Sequence, residues 1–243
     1  MGHDLLTIYH LKGIEYVLAL AYLPLFVLFW RFVTPKAKAP VAVPAQAPGW
    51  ADQLAGFFRL PADRFYHPGH AWARVEGADT VVVGMNDFAQ RLVGPIDRLR
   101  LPSPGTELAQ NQPAFSIVAG GRTIPMLAPV GGTVLEVNPE ALAAPESVRQ
   151  SPYGSGWLLK VRSPQLAANL KALMTGDLAR RWMDTVWDTL GAEAAGAELG
   201  VVYLDGGQPV DGLARSLAPE QWDDAARRYL LTDDVDAEGG SDA

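Results

Sequence analysis

The most extended apolar run of the chain lies near its amino terminus. Residues 14–33 are almost wholly apolar, and the stretch from Tyr16 to Trp30 carries no charge, with Glu15 before it and Arg31 after it. An α-helix rises about 1.5 Å per residue, so about 20 residues cross the ~30 Å hydrocarbon core of a bilayer. The pattern therefore predicts one transmembrane helix within residues 1–33, kinked at Pro24.

A cleaved secretory signal is the alternative interpretation of this run. Such a signal begins with basic residues, whereas Asp4, Lys12 and Glu15 precede the apolar run, which is also long for a signal. We therefore expect a retained single-pass anchor in the bacterial inner (cytoplasmic) membrane. Basic residues at 31, 36 and 38 follow the run, while only Lys12 and the terminal amine precede it, so the positive-inside rule places the rest of the chain in the cytoplasm.

Residues 34–49 contain a proline every few positions and no apolar period, which is typical of an extended linker. Trp50–Leu60 then shows the spacing of a short amphipathic helix, which either packs on the following domain or rests on the membrane. The two interpretations stay open from the sequence alone.

Short hydrophobic runs separated by Gly and Pro follow, and this pattern is typical of strands joined by tight turns. The predicted strands are Ala71–Val75, Thr80–Val83, Leu99–Leu101, Ala114–Ala119, Arg122–Leu127, Thr133–Val137 and Trp157–Val161. One helix interrupts them at residues 86–93, with Asn86 or Asp87 as its N-cap and Gly94 as its end. The pattern predicts a mainly β sandwich or flattened barrel over residues 50–163.

Gly120 and Gly121 separate two of these strands. A two-residue type I′ turn needs φ > 0 at both central positions, and a Gly-Gly pair provides it at little cost. We therefore predict an exposed hairpin tip at this point, where a carrier protein would present its arm.

An α+β extension is predicted over residues 164–231. Residues 166–190 have helical spacing, with Leu178, Trp182, Val186 and Leu190 four residues apart and Met183 and Trp187 alongside. A small hairpin is predicted at 201–210 and a last helix at 220–231, opened by Pro219. The acidic tail, residues 232–243, has the composition of a disordered segment.

Composition removes most kinds of chemistry from consideration. The chain has no cysteine, which excludes thiolate nucleophiles, disulfides and cysteine-based metal sites. The formal net charge is −7, without a basic stripe for nucleic acid. His67 and His70 have no nearby acidic partners at ligand spacing and are interpreted as packed residues, while His3 and His10 precede the span. We predict no catalytic residues, no metal site and no enzymatic activity.

Several separate motifs of the β region resemble, in one order, the H protein of the glycine cleavage system, a lipoyl carrier with a biotinyl/lipoyl-type sandwich. The motifs are Phe65-Tyr66-His67-Pro68-Gly69-His70-Ala71-Trp72, Gly84-Met85-Asn86-Asp87-Phe88-Ala89-Gln90, Leu101-Pro102, Gly105-Thr106, Ala128-Pro129-Val130-Gly131-Gly132-Thr133-Val134, Val137-Asn138 and Pro152-Tyr153-Gly154-Ser155-Gly156-Trp157-Leu158. The resemblance covers about 100 residues and implies that this part of the chain has the H-protein fold.

The resemblance implies a lipoyl-lysine at the hairpin, and the sequence departs from it there. Counting back from Ala128 without gaps places Gly121 at the position of that lysine and Val118 at the position of the family's acid. Arg122 stands beside it, but a guanidinium stays protonated and cannot replace an amine that must be acylated. The five lysines are residues 12, 36, 38, 160 and 171, so no lysine lies in the hairpin. We expect no lipoyl group and no other cofactor.

These patterns favour a membrane-anchored, non-lipoylated accessory subunit that docks on a larger membrane complex, for which we expect a respiratory or redox assembly. The alternatives are a carrier-type or lipoyl-metabolism-associated protein and an assembly or regulatory factor. Protein subunits and the membrane are the expected partners, with no nucleic acid and no small-molecule substrate. The candidate interaction residues are Gly120, Gly121, Arg122, Trp182, Trp187 and Trp222. The tryptophans could equally close the core of the domain.

Overall fold

The computed structural model of the chain describes residues 22–26, 29, 58–196, 204–205, 208–209 and 211–235. The chain divides into two units, Met1–Gly49 and Trp50–Ala243. In the first unit the described residues, 22–26 and 29, are helical and exposed. Across the described parts of the chain, no helix is both long enough and apolar enough to span a bilayer. The remainder of the predicted span, the linker 34–49, residues 50–57 and the end of the tail lie outside the described residues.

Two antiparallel sheets form the centre of the second unit. Their strands are β1 Phe65–Tyr66, β2 Ala71–Val75, β3 Thr80–Met85, β4 Arg98–Arg100, β5 Glu107–Leu108, β6 Pro113–Ala119, β7 Arg122–Leu127, β8 Gly132–Val137 and β9 Leu159–Arg162. The larger sheet has the order β1-β2-β3-β9-β8-β5, and the smaller sheet has the order β4-β6-β7. The predicted mainly β fold and each predicted strand are confirmed, with shifts of one or two residues at half of the strand ends and β1 and β5 as additions.

Helix α1, Asp87–Val93, forms where the sequence predicts it. Asn86 is its N-cap, because the Asn86 side chain accepts a hydrogen bond from the Ala89 N–H at 3.0 Å. Gly94 ends the helix with φ of 81°, a value that glycine adopts without a Cβ clash.

The close approach of β8 to β9 requires glycine at position 132. Gly132 has φ of 149°, and a Cβ placed there would lie 2.1 Å from the Arg162 carbonyl oxygen. Because the obstacle is backbone of a paired strand, it cannot move aside as a side chain would. Gly132 therefore permits the pairing of β8 with β9 in the larger sheet.

The predicted helix over 166–190 is wrong in one respect, because the structure divides it. Helix α4 is Leu166–Lys171 and helix α5 is Gly176–Gly196. Gly176 has φ of 55°, a left-handed conformation that a continuous right-handed helix excludes. Two further short helices, α2 Pro139–Ala143 and α3 Glu146–Gln150, lie in a segment for which the sequence predicted no element.

The carboxy-terminal part contains a small hairpin and two helices. Strands β10 Leu204–Asp205 and β11 Gln208–Pro209 pair where a hairpin was predicted. Helix α6, Leu213–Leu217, was not predicted, and helix α7, Trp222–Tyr229, is the predicted last helix with both ends trimmed. Buried residues of α6 and α7 belong to the same hydrophobic cluster as the residues of the sandwich. The extension and the β-sandwich therefore share one core.

Candidate functional site: the Gly120–Gly121 hairpin

The tip joining β6 to β7 is a two-residue turn. Ala119 pairs with Arg122 across the end of the hairpin, which leaves Gly120 and Gly121 as the loop. Their φ angles are 53° and 74°, as a type I′ turn requires. The Gly120 N–H donates to Asp97 Oδ2 at 2.7 Å, which links the tip to the loop before β4. The predicted turn is confirmed.

The two glycines of the tip have different surroundings. A Cβ placed on Gly120 would lie 2.8 Å from Arg215 Nη2 and 3.6 Å from the Trp222 ring. A Cβ placed on Gly121 would meet no atom within 4 Å. Residue 120 therefore faces the protein, and residue 121 faces open space.

A carboxy-terminal segment holds the residues that follow the tip. We call residues 211–235, which include α6 and α7, the C-terminal strap. Arg122 Nη1 lies 3.3 Å from Asp223 Oδ2 in an ion pair whose acid is nearly buried. Arg227 Nη2 donates to the Thr123 carbonyl at 2.8 Å, and Thr232 Oγ1 donates to the Pro125 carbonyl at 3.2 Å. The strap thus contacts the hairpin at four residues, 120, 122, 123 and 125.

The charged groups at the tip are suited to holding structure rather than to covalent chemistry. The Arg215 guanidinium lies 4.4 Å from the centre of the Trp222 ring, a cation–π geometry. A guanidinium cannot replace the lysine amine that is acylated, so neither Arg122 nor Arg215 can act as an acyl acceptor. Lys160, the nearest lysine in sequence, lies on β9 and binds Glu136 at 2.9 Å, a hydrogen bond that raises the pKa of the lysine.

Comparison with known proteins identifies the family that has this fold and hairpin. The sequence profile of the family described as glycine cleavage H-protein matches residues 64–185. The glycine cleavage system H protein of Halothermothrix orenii is 37% identical over 128 residues, which cover 52% of this chain and 98% of that protein. The chain belongs to the glycine cleavage H-protein family.

Two further proteins are similar to part of this chain. The probable glycine cleavage system H protein 2 of Saccharolobus solfataricus is 40% identical over 108 residues, which cover 44% of this chain and 72% of that protein. The crystal structure of a glycine cleavage system H protein from Mycobacterium marinum is 26% identical, with a TM-score of 0.44, and covers 49% of this chain and 94% of that one.

The two histidines of the H-protein domain are packed inside it, as predicted. His67 Nδ1 accepts from the Gly69 N–H at 2.9 Å, so Nε2 carries the proton and donates to Asn111 Oδ1 at 2.7 Å. His70 Nδ1 lies 3.1 Å from Asn86 Nδ2, and the His70 ring stacks on Phe88 at 4.3 Å. Both are almost fully buried. Within the described residues, no cluster of three or more His, Cys, Asp or Glu side chains could hold a metal.

Burial also determines the protonation of these histidines. Desolvation lowers the pKa of His67, partly opposed by its hydrogen bond to Asn111. Burial, together with the nearby His67, lowers the pKa of His70 to about 3. Both rings are neutral at neutral pH and act as hydrogen-bonding core residues of the H-protein domain.

The three candidate tryptophans occupy different positions. Trp187 and Trp222 keep only 6% and 7% of their surface exposed, and both belong to the core of this chain. Trp182 is partly buried, with its ring 4.8 Å from that of His70. Their buried surface is therefore used within the chain, and a partner contact in this region stays a prediction.

Sequence reasoning found the tip but not the residues that contact it. Asp97, Arg215, Asp223, Arg227 and Thr232 lie between 23 and 107 positions from the hairpin atoms that they bind. No local pattern signals contacts at such separations. The available hint was the amphipathic last helix, whose acidic first turn and basic last turn include Asp223 and Arg227.

Proposed function

We propose that this chain is a membrane-anchored, non-lipoylated H-protein-family module that serves as a non-catalytic accessory subunit of a larger membrane complex. The observation that carries the proposal is the residue at the hairpin tip. Gly121 occupies the position of the carrier lysine, and no lysine lies between Lys38 and Lys160. A lipoyl group is held through an amide to a lysine amine, so this hairpin has no atom that could bear it.

The anchor supplies the second part of the proposal. Residues 14–33, which carry no charge from Tyr16 to Trp30, have the length and hydropathy of a single span. The basic residues that follow the uncharged stretch favour a cytoplasmic location for the H-protein domain. The membrane that we propose for the anchor is the bacterial inner membrane. An anchored module without an arm is suited to holding or positioning other subunits, and a respiratory or redox complex is the partner that we propose.

Detergent extraction followed by affinity purification of the full chain tests this function. We expect co-purification of cytochrome or iron–sulfur subunits in fixed stoichiometry, and an intact mass equal to that of the unmodified sequence. Recovery of the chain alone would contradict the proposal. Recovery only with enzymes of lipoyl metabolism would instead favour a carrier-associated role, and a lipoyl adduct in the mass spectrum would contradict the non-lipoylated state.

A further inference from the structure

The hairpin of this domain is occupied on both sides of its tip by a segment of the same chain. We propose that the C-terminal strap is a resident intramolecular partner of the hairpin and excludes acyl-transferring enzymes from it. This inference deepens the proposed function, because it rests on the absence of an acyl arm in the native chain. It concerns the access of an enzyme to the hairpin tip, whereas the proposed function concerns the missing carrier lysine.

Both neighbours of position 121 are in contact with the strap. Arg215 and Trp222 fill the space beside Gly120, with Arg215 Nη2 at the distance of a clash with any Cβ there. On the other side, Arg122 is paired with Asp223 at 3.3 Å. An enzyme that acylates a side chain at 121 must enclose that side chain and so must contact residues 120 and 122. Both of these residues already have partners in the strap.

The strap also binds the backbone of β7 beyond the tip. The Thr123 and Pro125 carbonyls accept hydrogen bonds from Arg227 and Thr232. Thr232 is fully buried, and Arg227 also donates to the Val235 carbonyl at 3.2 Å, which ties the end of the strap to the same helix. Opening the hairpin to an enzyme therefore requires the release of several contacts together.

Position 121 itself is open, which makes the inference testable. Because a Cβ at 121 meets nothing within 4 Å, a lysine fits there, with a modest backbone strain at φ of 74°. If Gly121→Lys resists acylation in the intact chain, the obstacle lies beside the lysine and not at it.

The test uses full-length Gly121→Lys protein, lipoate, ATP and a purified lipoate–protein ligase. The ligase joins the lipoate carboxylate to Lys Nζ as an amide, and ATP is cleaved to AMP and pyrophosphate. The strap's polar contacts with Arg122 and Thr123 are weakened or removed by adding Asp223→Asn and Arg227→Ala, while its apolar packing is left in place. Neighbouring residues supply the matched control, because Asp224 is exposed and Arg228 pairs with Glu193 of α5 at 2.7 Å, away from the hairpin.

We expect slow lipoylation of G121K and of the control G121K/D224N/R228A, measured as mass increase with time. In G121K/D223N/R227A the rate should rise by about ten-fold or more, since each lost hydrogen bond to a charged group raises the open fraction by about that factor. Thermal unfolding of each variant verifies that the domain remains folded.

Rapid lipoylation of G121K with the strap intact would overturn the inference. Equal lipoylation rates in G121K/D223N/R227A and G121K/D224N/R228A would also overturn it. This includes the case in which neither protein is modified, because the resistance to lipoylation would then have another cause. These results are independent of the proposed function, which depends on the mass and partners of the native chain.

Discussion

His70 lies entirely inside the H-protein domain, between the rings of Phe88 and Trp182. Its Nδ1 receives a hydrogen bond from Asn86, whose side-chain oxygen caps helix α1. One histidine therefore connects the β2–β3 region, the cap of α1 and helix α5. Its φ of 66° is a left-handed conformation, which asparagine tolerates better than most residues.

The lowered pKa of His70 predicts a dependence of stability on pH. The unfolded chain takes up a proton below about pH 6.5, whereas the folded chain keeps His70 neutral down to about pH 3. The neutral, buried His70 thus contributes fully to the free energy of unfolding above pH 6.5, and this contribution is lost as the pH falls toward 3. Between pH 7 and pH 5 we expect wild type to lose about 2 kcal/mol more unfolding free energy than His70→Asn.

Urea denaturation at the two pH values measures this difference. His67→Asn is the control, since His67 is less deeply buried and donates a hydrogen bond to Asn111 that favours its charged form. Because His67→Asn keeps His70, its loss of unfolding free energy between pH 7 and pH 5 should stay closer to that of wild type than the loss of His70→Asn does. Equal losses in wild type and His70→Asn would contradict the assignment of a neutral, buried His70.

Helix α5 shows where a periodicity argument fails. The sequence predicted a face through Leu178, Trp182, Val186 and Leu190, with Met183 and Trp187 alongside, and these last two are indeed buried. The buried hydrophobic side chains are Ala179, Met183, Trp187, Leu190 and Ala194, while Leu178 is 54% exposed. A helix turns once in 3.6 residues, so positions four apart drift by about 40° at each step. Residues placed strictly four apart therefore rotate away from the buried face after about two turns. The buried residues include one interval of three positions, from Trp187 to Leu190, which brings the stripe back to that face.

Two substitutions on α5 test which face carries the packing. Trp187→Ala removes a core side chain next to Phe58, with ring centres 5.4 Å apart, and we expect a loss of about 3–5 kcal/mol. Leu178→Ala changes an exposed position, and we expect a loss below about 0.5 kcal/mol. Chemical denaturation of both variants measures the two values. Similar losses at the two positions would contradict the observed burial.

The strands were predictable because each one is a short apolar run bounded by Gly or Pro, and α1 because Asn86 and Gly94 mark its ends. The Gly120–Gly121 turn was predictable for the same local reason. Helix α6 was not, since Leu213–Leu217 has five residues and too few positions to show a period. The contacts of Arg215 and Arg227 with the hairpin arise from tertiary packing, which no local pattern contains.

At the scale of the whole molecule, the H-protein domain and the strap share one hydrophobic core. Leu213, Ala214, Ala226 and Leu230 are fully buried in the cluster that also contains Val93 and Ile124. Burying one large apolar side chain contributes about 1.5–3 kcal/mol, and a domain has only about 5–15 kcal/mol in total. The strap is thus a substantial part of what keeps the second unit folded.

Deletion of residues 211–243 is therefore expected to abolish cooperative unfolding and to cause aggregation, because the α1 and β7 surfaces under the strap become exposed. Deletion of residues 236–243 is the control and should change the melting temperature by no more than about 2 °C. Circular dichroism and light scattering during heating measure both effects. Cooperative melting of the longer deletion would show that the strap is dispensable.

The proline at position 125 has a consequence for assembly. Strand β7 is at one end of the smaller sheet, and an end strand can usually recruit a strand from another molecule through its free N–H and C=O groups. Here Pro125 has no N–H to offer, and the Thr123 and Pro125 carbonyls already bind side chains of residues 227 and 232. The sheet is closed to growth on this side, so the addition of a strand from another molecule at β7 is blocked.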